Sequence, residues 1–188
     1  NEDCPRVIQS SIEDYCRFQV ESMTPVTNDA WLSEIRRLDE QAGKQLAWVN
    51  YAVPSEVCWV MDITPVEIDA VCGAAAATPE LVMPYIDVAE GHIPDFLCAV
   101  NKIFLGAMAS GDIPVSDMII VPSHPCDSNL ATYPVIAERY GFPYFCIDAP
   151  YFRDERALRH VEGELGRLMD FLEQQTGRAL DYDRFREV

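Results

Sequence analysis

The sequence predicts a three-layer α/β fold with helices on both faces of a mainly parallel sheet. Short apolar runs of strand length, at residues 45–49, 118–121 and 142–147, alternate with stretches whose apolar residues recur every three to four positions. The run MIIV is apolar throughout rather than alternating, as in a strand buried on both faces. Hydrophobic residues make up 49% of the 188, enough for one domain with a real core.

Residues 1–43 read as a helical N-terminal arm. Ile12, Tyr15 and Cys16 lie at helical spacing before Thr24–Pro25 stops the pattern. Asp29 suits the cap of a second helix, with Trp31, Leu32, Ile35 and Leu38 on one face and Gly43 at its end. Residues 44–177 form the main domain. QLAWV at 45–49 is its first strand, and Pro54 then takes the first position of a helix running to residue 62. A second strand is expected over 63–68, confined by Pro65 to an edge or a bulge. Gly73 and the alanines after it fit a turn. A helix follows over 78–90, with Glu80 in its first turn. Another begins at Pro94–Asp95 and ends at Gly111. The strand at 118–121 leads into a helix over about 128–140, and 142–147 is the last strand. The helix over 153–176 places Leu158, Val161, Leu165, Leu168, Met169 and Leu172 at core spacing, and Gly177 ends it. This βα alternation is Rossmann-like or flavodoxin-like. Residues 178–188 read as a short helix heading away, a linker towards a second domain that this chain lacks.

Charge and motifs exclude several function classes. The net charge of −17, from 31 acidic and 14 basic residues, repels phosphate backbones, so no nucleic-acid partner is expected. No apolar run approaches the roughly 20 residues that span a bilayer. The first residues are neither basic nor apolar, so no secretory signal is expected. Seven cysteines are dispersed without a CxxC pair, which speaks against a zinc ribbon and for a reducing cytoplasm. No GxGxxG, P-loop or GxSxG motif is present, so ATP hydrolysis is not expected within this chain.

Ligands of open parallel α/β sheets bind beyond the carboxyl ends of the strands. The segment PSHPCDSN follows the third strand and DAPY the fourth. Cys126 therefore precedes a helix, where unpaired N–H groups and the positive dipole end favour a thiolate. It is either a functional thiol or part of a loop in which Asp127 or Ser128 caps the helix. Cys98 also lies near a helix start, although taken alone it reads as core. His124 is a candidate proton donor or a loop hydrogen-bonder. Cys58, Cys72 and Cys146 read as core, Cys4 and Cys16 belong to the arm, and His92 and His160 join no constellation.

Taken together, these segments resemble the 2-hydroxyacyl-CoA dehydratase subunits, whose relatives include the benzoyl-CoA reductase subunits. The likeness runs from about Lys44 to Val188. KQLAWVNYAVPSEVCWVMDITPVEI carries Pro54 and Glu56 of a P-x-E helix. The next stretch carries Asp95 and Cys98, Gly106 eight residues later, Gly111 and Pro114, Asp117, and then Cys126–Asp127. FPYFCIDAPY and FLEQQTGRALDYDRF also fit. The resemblance implies two Rossmann-like domains per subunit and three cysteines on one 4Fe–4S cluster. Cys98 and Cys126 match two of them, and the third is expected in the second domain, outside this chain. It further implies an acyl-CoA substrate, a related second subunit in a heterodimer, and an ATP-dependent activator ATPase that delivers one low-potential electron. The thioester carbonyl then becomes a ketyl radical that expels the 2-hydroxyl group. Ring reduction of the benzoyl-CoA type, a double-cubane-like electron-transfer protein and a cluster-less interaction domain remain as alternatives.

Overall fold

The computed structural model describes residues 45–113 and 116–186. The expected arm, with Cys4 and Cys16, lies outside the described residues.

Strands β1 (Gln45–Val49), β2 (Ile63–Glu67), β3 (Met118–Pro122) and β4 (Tyr144–Ile147) form one sheet in the order β2-β1-β3-β4, with every pairing parallel. Pro65 sits on edge strand β2 opposite Ala47, where its missing N–H leaves no neighbour unpaired on the outer side. Among the described residues six helices cover the sheet: α1 (Glu56–Val60), α2 (Ile68–Ala76), α3 (Pro79–Glu90), α4 (Ala99–Ser110), α5 (Asp127–Tyr140) and α6 (Glu155–Thr176), followed by a 3-10 turn at Arg184–Arg186.

The period of two along each strand divides the core. Leu46, Trp48, Val66, Ile119 and Val121 pack with α2, α3, α4 and α5. Ala47, Val49, Ile63, Met118, Ile120 and Ile147 face the other way, towards α1 and α6. On the first face Trp48 meets Phe104 edge-on at 5.1 Å, and Phe104 meets Tyr133 at 6.0 Å. Helices α3 and α4 touch at Gly106, where an added Cβ would lie 1.9 Å from the Tyr85 carbonyl oxygen. The three-layer, Rossmann-like expectation therefore holds.

Four local expectations change. Residues 68–76 form helix α2 with Gly73 inside it, because the alanines around it are the best helix formers and outweigh one glycine. Helix α4 starts at Ala99 rather than Pro94; residues 94–97 close a separate turn through Leu97 N–H and the Pro94 carbonyl. Leu158 is exposed at 61%, because the first buried side chain of α6 is Glu164. The segment after Gly177 folds back instead of heading away. Gly177 turns the chain at φ 68°, the left-handed region that suits a residue without Cβ. Arg178 then donates to the Met61 carbonyl at 3.0 Å, and Arg184 pairs with Asp62 at 2.6 Å.

Candidate functional site

All four parallel strands open their carboxyl ends on one edge, and the connections reverse direction between β1 and β3. This is the switch point at which open α/β sheets bind ligands. Cys126 follows β3 and is the N-cap of α5, in place of Asp127 or Ser128, while Cys98 is the N-cap of α4. Neither thiol accepts a capping hydrogen bond from its own helix. Ser128 instead accepts the Cys98 backbone N–H at 2.9 Å, which ties the two helix starts together. Ser, Thr, Asp and Asn are the efficient caps, so capping gives no reason for cysteine at either position.

Exposure separates the cysteines. Cys98 is exposed and Cys126 half-buried, whereas Cys58 is 1% and Cys72 0% exposed. Burial, with Glu56 adding, pushes the Cys58 thiol up to about 12. Burial, with Asp69 adding, pushes Cys72 higher still. Both are core residues, as the sequence indicates. Cys146 is half-buried on β4. Burial raises its thiol, the hydrogen bond with Tyr144 acts against that, and Asp148 adds to it. His124 shares the loop of Cys126, and its ring packs edge-on to exposed Tyr151 at 3.5 Å between centroids.

Beneath the two N-caps lies a polar group inside the apolar core. The Tyr133 hydroxyl donates to Asn101 Oδ1 at 3.3 Å, and Asn101 Nδ2 donates to Asn129 Oδ1 at 3.3 Å. The Tyr133 hydroxyl is pushed well above its ordinary range, first by burial and then by Asp69, Cys72, Cys126 and Cys98.

Two further clusters on the edge were not foreseen. Buried Asn50, just past β1, donates from Nδ2 to Asp69 Oδ2 at 2.6 Å, and the Tyr51 N–H reaches the same oxygen at 3.3 Å. Burial raises the Asp69 carboxyl in spite of its backbone hydrogen bonds. Past β4, Asp148 Oδ2 lies 3.0 Å from His160 Nε2, and the Asp148 N–H donates to Glu164 at 3.1 Å. Ser123 donates to Asp148 Oδ1 at 3.3 Å. His160 therefore does join a constellation. The available signals were Asp148 directly after a strand and His160–Glu164 one helical turn apart. An open cavity of about 320 Å³ adjoins this cluster, between Phe152 and His160. Among the described residues, no three His, Cys, Asp or Glu side chains converge as a set of metal ligands.

The family model described as 2-hydroxyglutaryl-CoA dehydratase, D-component, matches residues 50–188, well over half of the chain. The chain belongs to this dehydratase family. No curated protein matches it in sequence. The matched region holds both N-cap cysteines, and the structure gives other residues of the family resemblance work in the fold. Gly106 permits the α3–α4 contact, and Gly111 ends α4 at φ 76°. Asp117 pairs with Leu46 through side chain and backbone, fixing where β3 meets β1. The Asp95 carbonyl accepts from buried Lys102 at 2.8 Å. Cys98 and Cys126 make backbone hydrogen bonds, but their thiols cap neither helix, which leaves the two sulfurs as candidates for chemistry.

Proposed function

We propose that this dehydratase-family chain is the cluster-binding part of a subunit acting on 2-hydroxyacyl-CoA, with Cys98 and Cys126 as two thiolate ligands of a 4Fe–4S cluster. One observation carries the reading: two accessible thiols stand on two helix N-caps at the switch-point edge, joined through Ser128. The donors suit the group. Cysteine thiolates hold such clusters, and helix N-termini stabilise negative charge. Two thiolates are a partial set, so the remaining ligand is supplied from beyond the described residues. When bound, the cluster supplies a low-potential electron to the acyl-CoA thioester, from which the 2-hydroxyl group leaves as water.

The chain's own residues hold the two sulfurs in register and shape the edge where substrate enters. His124, two residues before Cys126, is the proposed proton carrier. The partners are the acyl-CoA, a related second subunit and the activator ATPase, in the cytoplasm. No helix among the described residues is long and apolar enough to cross a membrane.

The test is iron and acid-labile sulfide per chain after anaerobic purification, with EPR after reduction, on the protein as its natural gene encodes it. Roughly four irons, lost in both Cys98→Ser and Cys126→Ser while folding persists, support the ligand assignment. Full iron and activity in either variant would sink it. A wild-type protein without iron leaves the cluster-less interaction domain. Iron and electron transfer without acyl-CoA dehydration favour the double-cubane-like reading.

A further inference from the structure

Loss of water from a 2-hydroxyacyl chain moves two protons. One leaves C3, and its bonding electron pair becomes the C2–C3 double bond. The other joins the hydroxyl group that leaves C2, which departs as water. His124 accounts for one of these transfers in the reading above. A second imidazole at the same strand edge is built for the other.

His160 Nε2 lies 3.0 Å from Asp148 Oδ2 and 3.9 Å from Glu164 Oε1. Ionised carboxylates only accept hydrogen bonds, so Nε2 carries the ring proton and the lone pair of the neutral ring sits on Nδ1. Asp148 is itself held on both sides. Ser123, just past β3, donates to its Oδ1 at 3.3 Å, and the Asp148 N–H donates to Glu164 at 3.1 Å. Arg167 pairs with Glu164 and balances that buried charge. Stability explains little of the His160–Asp148 contact. The two side chains are 41% and 65% exposed, and such pairs contribute about 0–1 kcal/mol.

His160 lines the open cavity with Pro150, Phe152, Asp154, Arg156 and Ala157. With Nε2 taken, Nδ1 is the ring nitrogen left for an occupant. The cavity shares a wall with the Cys126 loop. Ser123 accepts the Ala149 N–H at 2.9 Å, its own N–H donates to the Ile147 carbonyl at 2.8 Å, and His124 packs on Tyr151. Ser123 and Cys126 are three residues apart, at most about 11 Å of chain.

We infer that His160 is a general base, positioned by Asp148, whose Nδ1 takes the C3 proton of a 2-hydroxyacyl chain lying against Pro150 and Phe152. This rests on the dehydratase reading above and adds its second proton-transfer group. The first measurement is independent of activity. With 15N-histidine in the natural protein, the ring shifts of His160 should report a proton on Nε2, and Asp148→Asn should lose that preference. The second uses the anaerobic enzyme with its partner subunit and activator, and 2-hydroxyglutaryl-CoA with or without deuterium at C3. His160→Gln is expected to keep its iron and KM while kcat falls roughly 100-fold or more and the C3 isotope effect grows. Asp148→Asn should do the same to a smaller extent, and it decides the matter should His160→Gln fail to fold. A merely structural role would leave the isotope effect unchanged. A ring proton on Nδ1, or an iron-loaded His160→Gln with wild-type kcat or isotope effect, overturns the inference and leaves the cluster reading standing. Wild-type protein that holds no iron, or leaves the thioester intact, overturns both.

Discussion

The Cys98 backbone N–H donates to Ser128 Oγ at 2.9 Å, so the cap of α4 is fastened to the first turn of α5 across 30 positions of sequence. The bond fixes one candidate thiol relative to the other without using either sulfur.

Ser128→Ala removes the only polar atom of a buried side chain and leaves the Cys98 N–H without this acceptor. The expected loss is about 1–2 kcal/mol of stability in urea unfolding. An unchanged midpoint would mean that the two helix starts are held by other contacts.

Gly106→Ala tests the α3–α4 crossing. Its Cβ would meet backbone atoms of Tyr85 at 1.9–2.7 Å, which no rotamer change relieves. The helices must separate, at a cost of about 3 kcal/mol or more, the upper end for overpacking. A substituted protein that melts at the wild-type temperature would contradict the packing described.

Lys102 is a buried cation between Glu90 at 2.6 Å and the Asp95 carbonyl at 2.8 Å. Lys102→Met leaves Glu90 unpaired, but that carboxylate is 36% exposed and water screens it. A loss of about 1–2 kcal/mol is expected, read by thermal unfolding, with more for Glu90→Gln, which leaves the buried Lys102 charge without its counter-charge.

The Asp69 carboxyl is raised in the folded state above its ordinary 3.8. A raised acid is more easily kept protonated in the fold, so its contribution to stability is present below 3.8 and declines as pH rises through the folded value. Asp69→Asn should flatten the stability curve across that window. Melting temperatures from pH 3 upward check this; parallel curves for the two proteins would refute it.

Thiol labelling separates structural from candidate cysteines. With a maleimide on the folded, iron-free protein, Cys98 should react first among the described cysteines, while Cys58 and Cys72 react only on unfolding. Peptide mapping by mass spectrometry reads the order, and early labelling of Cys72 would contradict its placement in the core.

Much of the fold was legible because it depends on local periodicity. Apolar runs marked β1, β3 and β4, Pro65 confined β2 to an edge or a bulge, and Gly111 and Gly177 closed their helices in the left-handed conformation. Helix α2 was misread because one glycine among alanines looks like punctuation when neighbours in space are unknown. The start of α4 was misplaced because a turn at 94–97 and a helix N-terminus share the same residue types.

The candidate site divides along the same line. Sequence order alone singled out Cys126 after a strand and, through the family resemblance, Cys98 with it. Only the tertiary structure decided that Ser128 joins them, that Asn129 and Thr132 keep buried polar atoms unpartnered, and that His160 meets Asp148. These contacts link residues 12 to 30 positions apart on different elements. Periodicity reports which face of an element is buried, but the partner on that face is set by how the helices pack across the sheet.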